Sequence, residues 1–219
     1  MLILASGSPR RQALLSLMGV DFHVQTSDID ESVIPGESPE EYVLRLAISK
    51  SLAFNPLSEK HLVVIAADTA VVDGDQILGK PRSPHHAFEM LAMLRYRTHT
   101  VISGLAVRDT KIEEIFTDLC TTRVEMRNYN EHEIEDYVAS GDPMDKAGAY
   151  AIQHSGFQPV AKITGCFANV VGLPLCHLGQ IFNRLGVDFQ EESIQGCRSN
   201  GSYHCQLLDK INAMDAEDH

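Results

Sequence analysis

The first eleven residues constrain the fold more than any other stretch of this chain. Leu2–Leu4 is a short apolar run, which predicts a buried strand. Ser6, Gly7 and Ser8 follow almost directly, and Pro9 suits the first turn of a helix. Ser8 is therefore expected to cap that helix, with free backbone N–H donors behind it.

Two arginines, Arg10 and Arg11, enter the same predicted turn. A strand, a small-residue loop containing Ser6 and Ser8, a helix N-terminus and two guanidiniums together favour an anion site, and the natural anion is a phosphate chain. The alternative is an ordinary capped helix with two solvated arginines. The position of the loop directly after a predicted buried strand favours phosphate.

Composition narrows the class of partner. The 219 residues are 44% hydrophobic and 22% charged, typical of a globular chain of one or two domains. The net charge of −12 argues against binding to a nucleic-acid polymer, which normally needs a basic face. A local cationic pocket for a small, metal-chelated anion is compatible with an acidic protein.

The sequence also indicates the cellular compartment and the redox state of the cysteines. No segment approaches the length of a membrane span, and no basic region precedes the first apolar run, so we expect a cytoplasmic protein without a membrane partner. Five cysteines are an odd count that fits reduced thiols. The spacing of Cys197, His204 and Cys205 matches no familiar zinc pattern, so no metal is predicted there.

Hydrophobic periodicity predicts an α/β fold with a mixed twisted sheet flanked by helices. The predicted helices begin near Pro9, Ser38, Ser83, Asn130 and Pro174, and the predicted strands include 22–24, 62–67, 99–108 and 115–126. We also expect a hairpin over 71–78, a short strand over 150–153, a hairpin pairing 160–163 with 167–171, and a short helix over 207–214.

Two charged residues stand out because they follow or interrupt apolar patterns. Lys50 lies on the apolar stripe of the second helix, seven residues after Val43, so it either extends to the surface or projects into a site. Asp68 follows the apolar run Leu62–Ala67, and we expect the strand to end there, at an edge of the sheet. It is either a turn former or a functional carboxylate.

The other ionisable residues suit phosphoryl chemistry. Cations neutralise phosphates, and carboxylates hold a divalent metal or accept a proton from water. The candidates are the cations Arg10, Arg11, Lys50, Lys80 and Lys146 and the carboxylates Glu31, Asp68 and Asp145. No Ser-His-Asp arrangement is evident, and a structural role explains His99 equally well.

Five motifs in order carry a specific resemblance. They are Ala5-Ser6-Gly7-Ser8-Pro9-Arg10-Arg11, Ala67-Asp68-Thr69, Leu78-Gly79-Lys80-Pro81, Asp145-Lys146-Ala147-Gly148-Ala149-Tyr150 and Asn169-Val170-Val171-Gly172-Leu173-Pro174. Over roughly residues 2–187 the chain resembles the Maf family of nucleoside triphosphate pyrophosphatases, once called septum formation inhibitors. The Asp145 loop with Gln153 resembles the branch that prefers dTTP and UTP.

The resemblance implies hydrolysis of a nucleoside triphosphate to the monophosphate and diphosphate, with a divalent metal such as Mg or Mn. It implies two lobes around a cleft, a fold similar to the inosine triphosphate pyrophosphatases, and often a homodimer. We accordingly expect a Maf-like domain over 1–188 and a C-terminal tail over 189–219.

The resemblance also implies residue roles. Asp68 looks like the proton acceptor, a metal ligand or both, with Lys50 and Lys80 beside it, and Glu31 looks like a metal or water ligand. The implied substrate contacts are Ser6, Ser8, Arg10, Arg11, Thr69, Asp145, Lys146 and Gln153, of which Arg11, Thr69 and Gln153 look like positions that tune base choice.

Two other functions compete with this one. The same reaction on a modified purine nucleotide, such as 7-methylguanosine triphosphate, stays open because Ala151, Cys166 and Phe167 depart from the pattern of the pyrimidine branch. A nucleotide-binding regulator of septation with little turnover is the third reading. It has no need of a base, so the set Glu31, Lys50, Asp68 and Lys80 favours an enzyme.

Overall fold

A computed structural model describes residues 1–26, 28–54 and 61–192 of the chain. The strands are β1 Leu2–Leu4, β2 Phe22–Val24, β3 Val63–Asp73, β4 Gln76–Leu78, β5 Thr98–Asp109, β6 Glu114–Met126 and β7 Val160–Thr164. The α-helices are α1 Pro9–Ser16, α2 Pro39–Leu52, α3 Pro84–Leu94, α4 Glu131–Ala139, α5 Phe167–Val171 and α6 Leu175–Leu185, and short 3-10 turns cover Asp142–Asp145 and Ala147–Ala149.

The strands form one mixed sheet in the order β2-β1-β3-β5-β6-β7, with β4 also paired to β3. β1 runs parallel to both β2 and β3, whereas β3, β5, β6 and β7 pair antiparallel. The chain moves outward through α1 and back through α2, so right-handed crossovers place these two helices on opposite faces of the sheet. The α/β prediction of a mixed sheet flanked by helices is confirmed.

Side-chain caps fix where the predicted helices begin. The Ser8 hydroxyl accepts a hydrogen bond from the Arg11 backbone N–H, as the sequence predicted. Ser38 and Asn130 each form a reciprocal capping box with the glutamate three residues on. No helix in the described ranges is both long and apolar enough to cross a bilayer.

The two faces of β3 carry different neighbours. Odd-numbered residues from Val63 to Ala67 pack with α1, α5 and α6, and Val71 packs with α3 and α4 further along the same face. Even-numbered residues face α2, where Val43 packs against Ala70 and Val72. The odd-numbered face therefore carries two separate hydrophobic cores, and Thr69 lies between them.

One edge of β3 has a break that opens the sheet. β1 pairs with β3 only up to Ile65, and β4 pairs with the same edge only from Val71 onward. The other edge is paired with β5 throughout 63–72. In the described part of the chain, residues 66–70 thus have an unpaired edge, and Asp68 lies at its middle.

Three sequence predictions of local structure are wrong. The strand containing Leu62–Ala67 does not end at Asp68 but continues to Asp73, because the apolar residues after Thr69 keep it in the sheet. Phe167–Val171 is the helix α5, not a strand, and 150–153 is a loop with turns. The predicted helix over 207–214 and the residues Cys197, His204 and Cys205 lie outside the described residues.

A glycine lets α2 approach the sheet closely. Gly104 on β5 is the cross-strand partner of Asp68, and a Cβ built on it would lie 2.5 Å from the Val43 carbonyl oxygen. Any larger residue would therefore push against the backbone of α2 rather than against a flexible side chain.

We expect Gly104→Ala to lower the free energy of unfolding by about 1–3 kcal/mol, because the added methyl group overpacks the contact with α2. Urea unfolding of the variant measures this loss. Gly79→Ala is the matched control, since a Cβ there meets nothing within 4 Å. Equal stability of the two variants would show that α2 tolerates displacement.

Candidate active site

The break in the edge of β3 forms the floor of a cleft of about 590 Å³. That volume lies within the usual range of small-molecule sites, roughly 300–1,000 Å³. All twelve residues singled out from the sequence line it: Ser6, Ser8, Arg10, Arg11, Glu31, Lys50, Asp68, Thr69, Lys80, Asp145, Lys146 and Gln153.

Lys50 and Asp68 form a buried ion pair at the floor of the cleft. The Lys50 Nζ lies 2.6 Å from Asp68 Oδ1, and both side chains are only about a tenth exposed, at 10% and 12%. The same Nζ lies 2.7 Å from a carboxylate oxygen of Glu31, whose side chain is 52% exposed. Lys50 therefore projects into the site and joins two carboxylates, which decides between the two sequence readings of this residue.

The position of Lys50 follows from the pattern of α2. Val43, Leu46, Ala47 and Lys50 form one buried face of that helix, because residues three, four and seven apart share a side. Close approach of α2 to Gly104 carries this face onto β3. The ammonium thus reaches an even-numbered residue of β3, which is Asp68.

The electrostatics keep Glu31 ionised. Burial disfavours its charged form, but the hydrogen bond and charge of Lys50, with a smaller contribution from Lys80, hold the pKa of the Glu31 carboxyl below its ordinary value. Tyr42 donates a hydrogen bond from its hydroxyl to the Glu31 backbone carbonyl at 3.0 Å. Burial, followed by the charges of Asp68 and Glu31, raises the pKa of Tyr42 to about 12.

Arg11 is fixed on the opposite side of the cleft floor. Its Nε donates to the Gly172 carbonyl at 2.9 Å, its Nη2 to the Thr69 hydroxyl at 3.2 Å, and its Nη1 to the Ser6 hydroxyl at 3.3 Å. Burial lowers its pKa, although the charge of Asp68 opposes that effect. Of the five guanidinium N–H groups, three have partners among the described residues, so two are available to a ligand.

The loop between 142 and 149 forms another wall. Lys146 donates to the backbone carbonyl and Oδ1 of Asp142 and to Oδ1 of Asp145, at 2.6–2.9 Å. These contacts occupy all three ammonium protons, so the ammonium already has a full set of acceptors. Arg10 lies 3.4 Å from Asp145 and joins this wall to α1 across the cleft.

The balance of charge in the cleft differs from that of the whole chain. Among the described lining residues, five cations face three carboxylates, although the chain carries a net charge of −12. Lys80 is exposed, so its ammonium is accessible from solvent. The lining is therefore a local cationic surface of the kind the sequence predicted for a small anion.

The carboxylates of the cleft can be compared with what a divalent metal ion needs as ligands. Within the described ranges, no group of three or more His, Cys, Asp or Glu side chains converges on one point. Magnesium at nucleotide sites is commonly held by one or two carboxylates together with substrate phosphates. Glu31 and Asp68, which meet at the Lys50 ammonium, match that smaller requirement.

Some lining and supporting residues were missed from the sequence. Tyr42 and Gly172 carried no charge pattern, and Ser103 behind Thr69 lay inside an apolar strand. His99 is buried, and its Nε2 lies 2.7 Å from the Tyr150 hydroxyl. These contacts favour the structural role for His99 over a role as a catalytic base. The signal that could have identified Ser103 is a polar residue on each of two neighbouring strands at positions that face each other, here Thr69 and Ser103.

Comparison with known proteins places the chain in a family. The model of the Maf-like protein family matches residues 1–185. This chain belongs to the Maf-like family. The resemblance inferred from its five motifs is confirmed.

Curated relatives agree with the family match. A dTTP/UTP pyrophosphatase of Geotalea uraniireducens is 44% identical over 185 residues, covering 84% of this chain and 95% of that protein. One of Dictyoglomus thermophilum is 46% identical, covering 84% and 96%. One of Clostridium botulinum is 44% identical, covering 85% and 98%.

Solved structures give more distant matches. A HAM1 protein from Coxiella burnetii is 17% identical with a TM-score of 0.48, covering 84% of this chain and 98% of that one. A nucleoside-triphosphatase, also described as a dITP/XTP pyrophosphatase, from Mycobacterium abscessus is 15% identical with a TM-score of 0.38, covering 84% and 93%.

Burial of His99 predicts a loss of stability in mild acid. Burial lowers its pKa from 6.5 to about 4 in the folded protein. The unfolded chain therefore binds this proton first as the pH falls through 6.5, and the folded state loses stability until about pH 4. At pH 5 we expect about 2 kcal/mol lower stability than at pH 7.5 from this group.

Urea unfolding of wild type and His99→Gln at the two pH values measures this difference, which should shrink in the variant. His132→Gln is the control, because its side chain is 81% exposed. If His99→Gln retains the full pH dependence of wild type, as His132→Gln should, His99 is not the group responsible.

Proposed function

We propose that this protein hydrolyses nucleoside triphosphates, with dTTP and UTP preferred, to the nucleoside monophosphate and diphosphate. The observation that carries the proposal is the Lys50–Asp68 pair at the floor of a cationic cleft. The names of the relatives, dTTP/UTP pyrophosphatases at 44–46% identity, support the substrate class.

The triphosphate is expected to lie among the cations of the cleft. Arg10, Arg11 and Lys80 supply charge, and the loop with Ser6 and Ser8 supplies hydroxyl and backbone donors at the start of α1. Neutralising the phosphates lets water approach a phosphorus atom that carries negative oxygens. Lys146 also lines the cleft, but its ammonium is already hydrogen-bonded to Asp142 and Asp145 of its own loop.

Asp68 is assigned as the proton acceptor. Its Oδ1 accepts from Lys50, whereas Oδ2 has no hydrogen-bond partner within the described residues, and the residue lines the cleft. Water adds to one of the two phosphorus atoms that flank the α–β bridging oxygen, and the bond from that phosphorus to the bridging oxygen breaks. The bridging oxygen leaves with the other phosphate fragment as an anion, and a water proton passes to the carboxylate. The hydrogen bond from Lys50 keeps the Asp68 carboxylate oriented for this transfer.

Glu31 and Asp68 would hold a divalent metal together with the substrate phosphates. Such an ion withdraws electron density from phosphoryl oxygens and lowers the pKa of water. The residues that surround it here orient the two carboxylates: Lys50 lies between them, and Tyr42 anchors the Glu31 backbone.

Base choice is assigned to Arg11, Thr69 and Gln153. The Gln153 amide offers both a donor and an acceptor to the edge of a base, and it lines the cleft near Tyr150. A pocket sized for one ring would exclude purines by steric clash.

The remaining assignments concern the whole protein. We propose that it is a cytoplasmic homodimer that binds no nucleic-acid polymer. We also propose a catalytic domain over 1–188 and a tail over 189–219. Near that boundary, Phe189 packs on Phe182, and the Gln190 backbone N–H donates to the Met18 carbonyl. Light scattering measures the oligomeric state directly.

We expect Asp68→Asn to lower kcat for UTP by about a hundredfold to ten-thousandfold, because an amide of nearly the same shape cannot accept the proton. Diphosphate release in the presence of magnesium measures the loss. Titration with magnesium separates the two roles: unchanged metal affinity assigns Asp68 as base alone, and weakened affinity adds a role as metal ligand.

Asp109→Asn is the matched control. Asp109 is also a sheet aspartate bonded to a basic side chain, His61, at 2.7 Å, and it pairs with Val63, about 16 Å along β3 from Asp68. That variant should keep wild-type kcat. Near wild-type turnover of Asp68→Asn would remove Asp68 from the reaction.

We expect Gln153→Ala to reduce the preference for UTP over purine triphosphates more than it reduces the best rate. A wrong base leaves buried polar groups unpaired, so hydrogen-bonded selection of this kind is strong. The measured quantity is the ratio of kcat/KM for UTP to that for each purine triphosphate. A wild-type ratio below one contradicts the pyrimidine assignment, and an unchanged ratio in the variant removes Gln153 from base selection.

A further inference from the structure

A strip of polar side chains, buried except for the half-buried one that lines the cleft, runs from the cleft floor into the protein between the two hydrophobic cores. It consists of Thr69 on β3, Ser103 on β5, Thr122 on β6 and Asn169 on α5, and we refer to it as the polar strip. Ser103 is fully buried and is the cross-strand partner of Thr69. It does not line the cleft, so it cannot contact a ligand there directly.

The hydrogen bonds of Ser103 connect it to Arg11. The Ser103 and Thr69 hydroxyl oxygens are 2.8 Å apart, and Ser103 Oγ lies 3.3 Å from the Asn169 backbone carbonyl. On the other side, Thr69 Oγ1 is 3.2 Å from Arg11 Nη2. The path from Arg11 to α5 therefore passes through two hydroxyl groups.

Counting protons gives this path a direction. The guanidinium can only donate and the backbone carbonyl can only accept, whereas each hydroxyl has one proton to give. All three contacts are hydrogen bonds at the same time only when Arg11 donates to Thr69, Thr69 donates to Ser103, and Ser103 donates to the Asn169 carbonyl. With Ser103 as its acceptor, the Thr69 hydroxyl keeps its lone pair toward Arg11, and the Gly172 carbonyl stays available for Arg11 Nε at 2.9 Å.

Without Ser103, the Thr69 proton has one other acceptor among the described residues. That acceptor is the Gly172 carbonyl, at 3.4 Å from Thr69 Oγ1. The Thr69 hydroxyl would then share this oxygen with Arg11 Nε, and two of the three contacts that orient the guanidinium would change together.

We propose that Ser103 is a positioning residue for substrate selection, which acts through Thr69 to orient Arg11 in the cleft. This inference rests on the proposed function in one respect, the assignment of Arg11 to substrate recognition. The positioning itself is a property of the protein without substrate.

Ser103→Ala should lower kcat/KM for UTP about three- to tenfold, the range of one lost hydrogen bond, mainly through KM. The ratio of kcat/KM for UTP over GTP should fall as well. Ser51→Ala is the control, since Ser51 is also fully buried and its hydroxyl bonds within α2. Ser103→Cys keeps the volume and a weak donor, and should lie between wild type and Ser103→Ala.

A double-mutant cycle with Thr69→Val tests the route. If Ser103 acts through the Thr69 hydroxyl, Ser103→Ala changes kcat/KM by less than twofold once that hydroxyl is gone. Multiplicative effects of the two substitutions would overturn the proposal. So would a Ser103→Ala protein that is less stable but has unchanged KM and base ratio.

A measurement without substrate separates this inference from the proposed function. The Arg11 Nε–H signal in a ¹⁵N–¹H spectrum, assigned with Arg11→Lys, reports the bond to Gly172. Ser103→Ala should shift it and Ser51→Ala should not, whether or not UTP is hydrolysed. An unmoved signal in Ser103→Ala overturns the positioning role, whereas a wild-type protein inert toward all triphosphates overturns the proposed function alone.

Discussion

The Lys50 ammonium and the Asp68 carboxylate form a buried ion pair at the floor of the cleft, with 2.6 Å between nitrogen and oxygen. A buried cation and a buried carboxylate are each costly alone, and removing one partner of such a pair typically costs about 3–5 kcal/mol. Three features therefore have to agree: the buried face of α2, the missing side chain at Gly104, and the unpaired edge of β3. Together they place charge where the sheet is open.

The same geometry explains how an acidic protein offers a surface to an anion. The break between β1 and β4 exposes the edge of β3 to the cleft, and cations from α1, α2 and the segment after β4 converge on it. Glu31 and Asp68 compensate Lys50, so the buried charges remain paired. Arg11 is oriented from behind by the polar strip, which also divides the two cores of that sheet face.

Sequence patterns predicted most of the architecture, because caps and periodicity act locally. The capping serines and the placement of Lys50 on the stripe of α2 are examples. Failures came where a short apolar run is ambiguous. Phe167–Val171 is helical between Gly165 and Gly172, which have φ values of 129° and 119°, rather than paired to β7. Asp68 lies within a strand because the apolar residues after Thr69 continue β3. Its open edge depends on where β1 and β4 stop, which no local pattern encodes.

The cleft is expected to cleave the bond between the α and β phosphates of a nucleoside triphosphate. The most direct test is ³¹P NMR of UTP with the protein and magnesium, following all phosphorus-containing products with time. We expect UMP and diphosphate to appear together in equal amounts, without UDP or orthophosphate. Accumulation of UDP and orthophosphate would place the cleavage at the terminal phosphate and contradict this expectation.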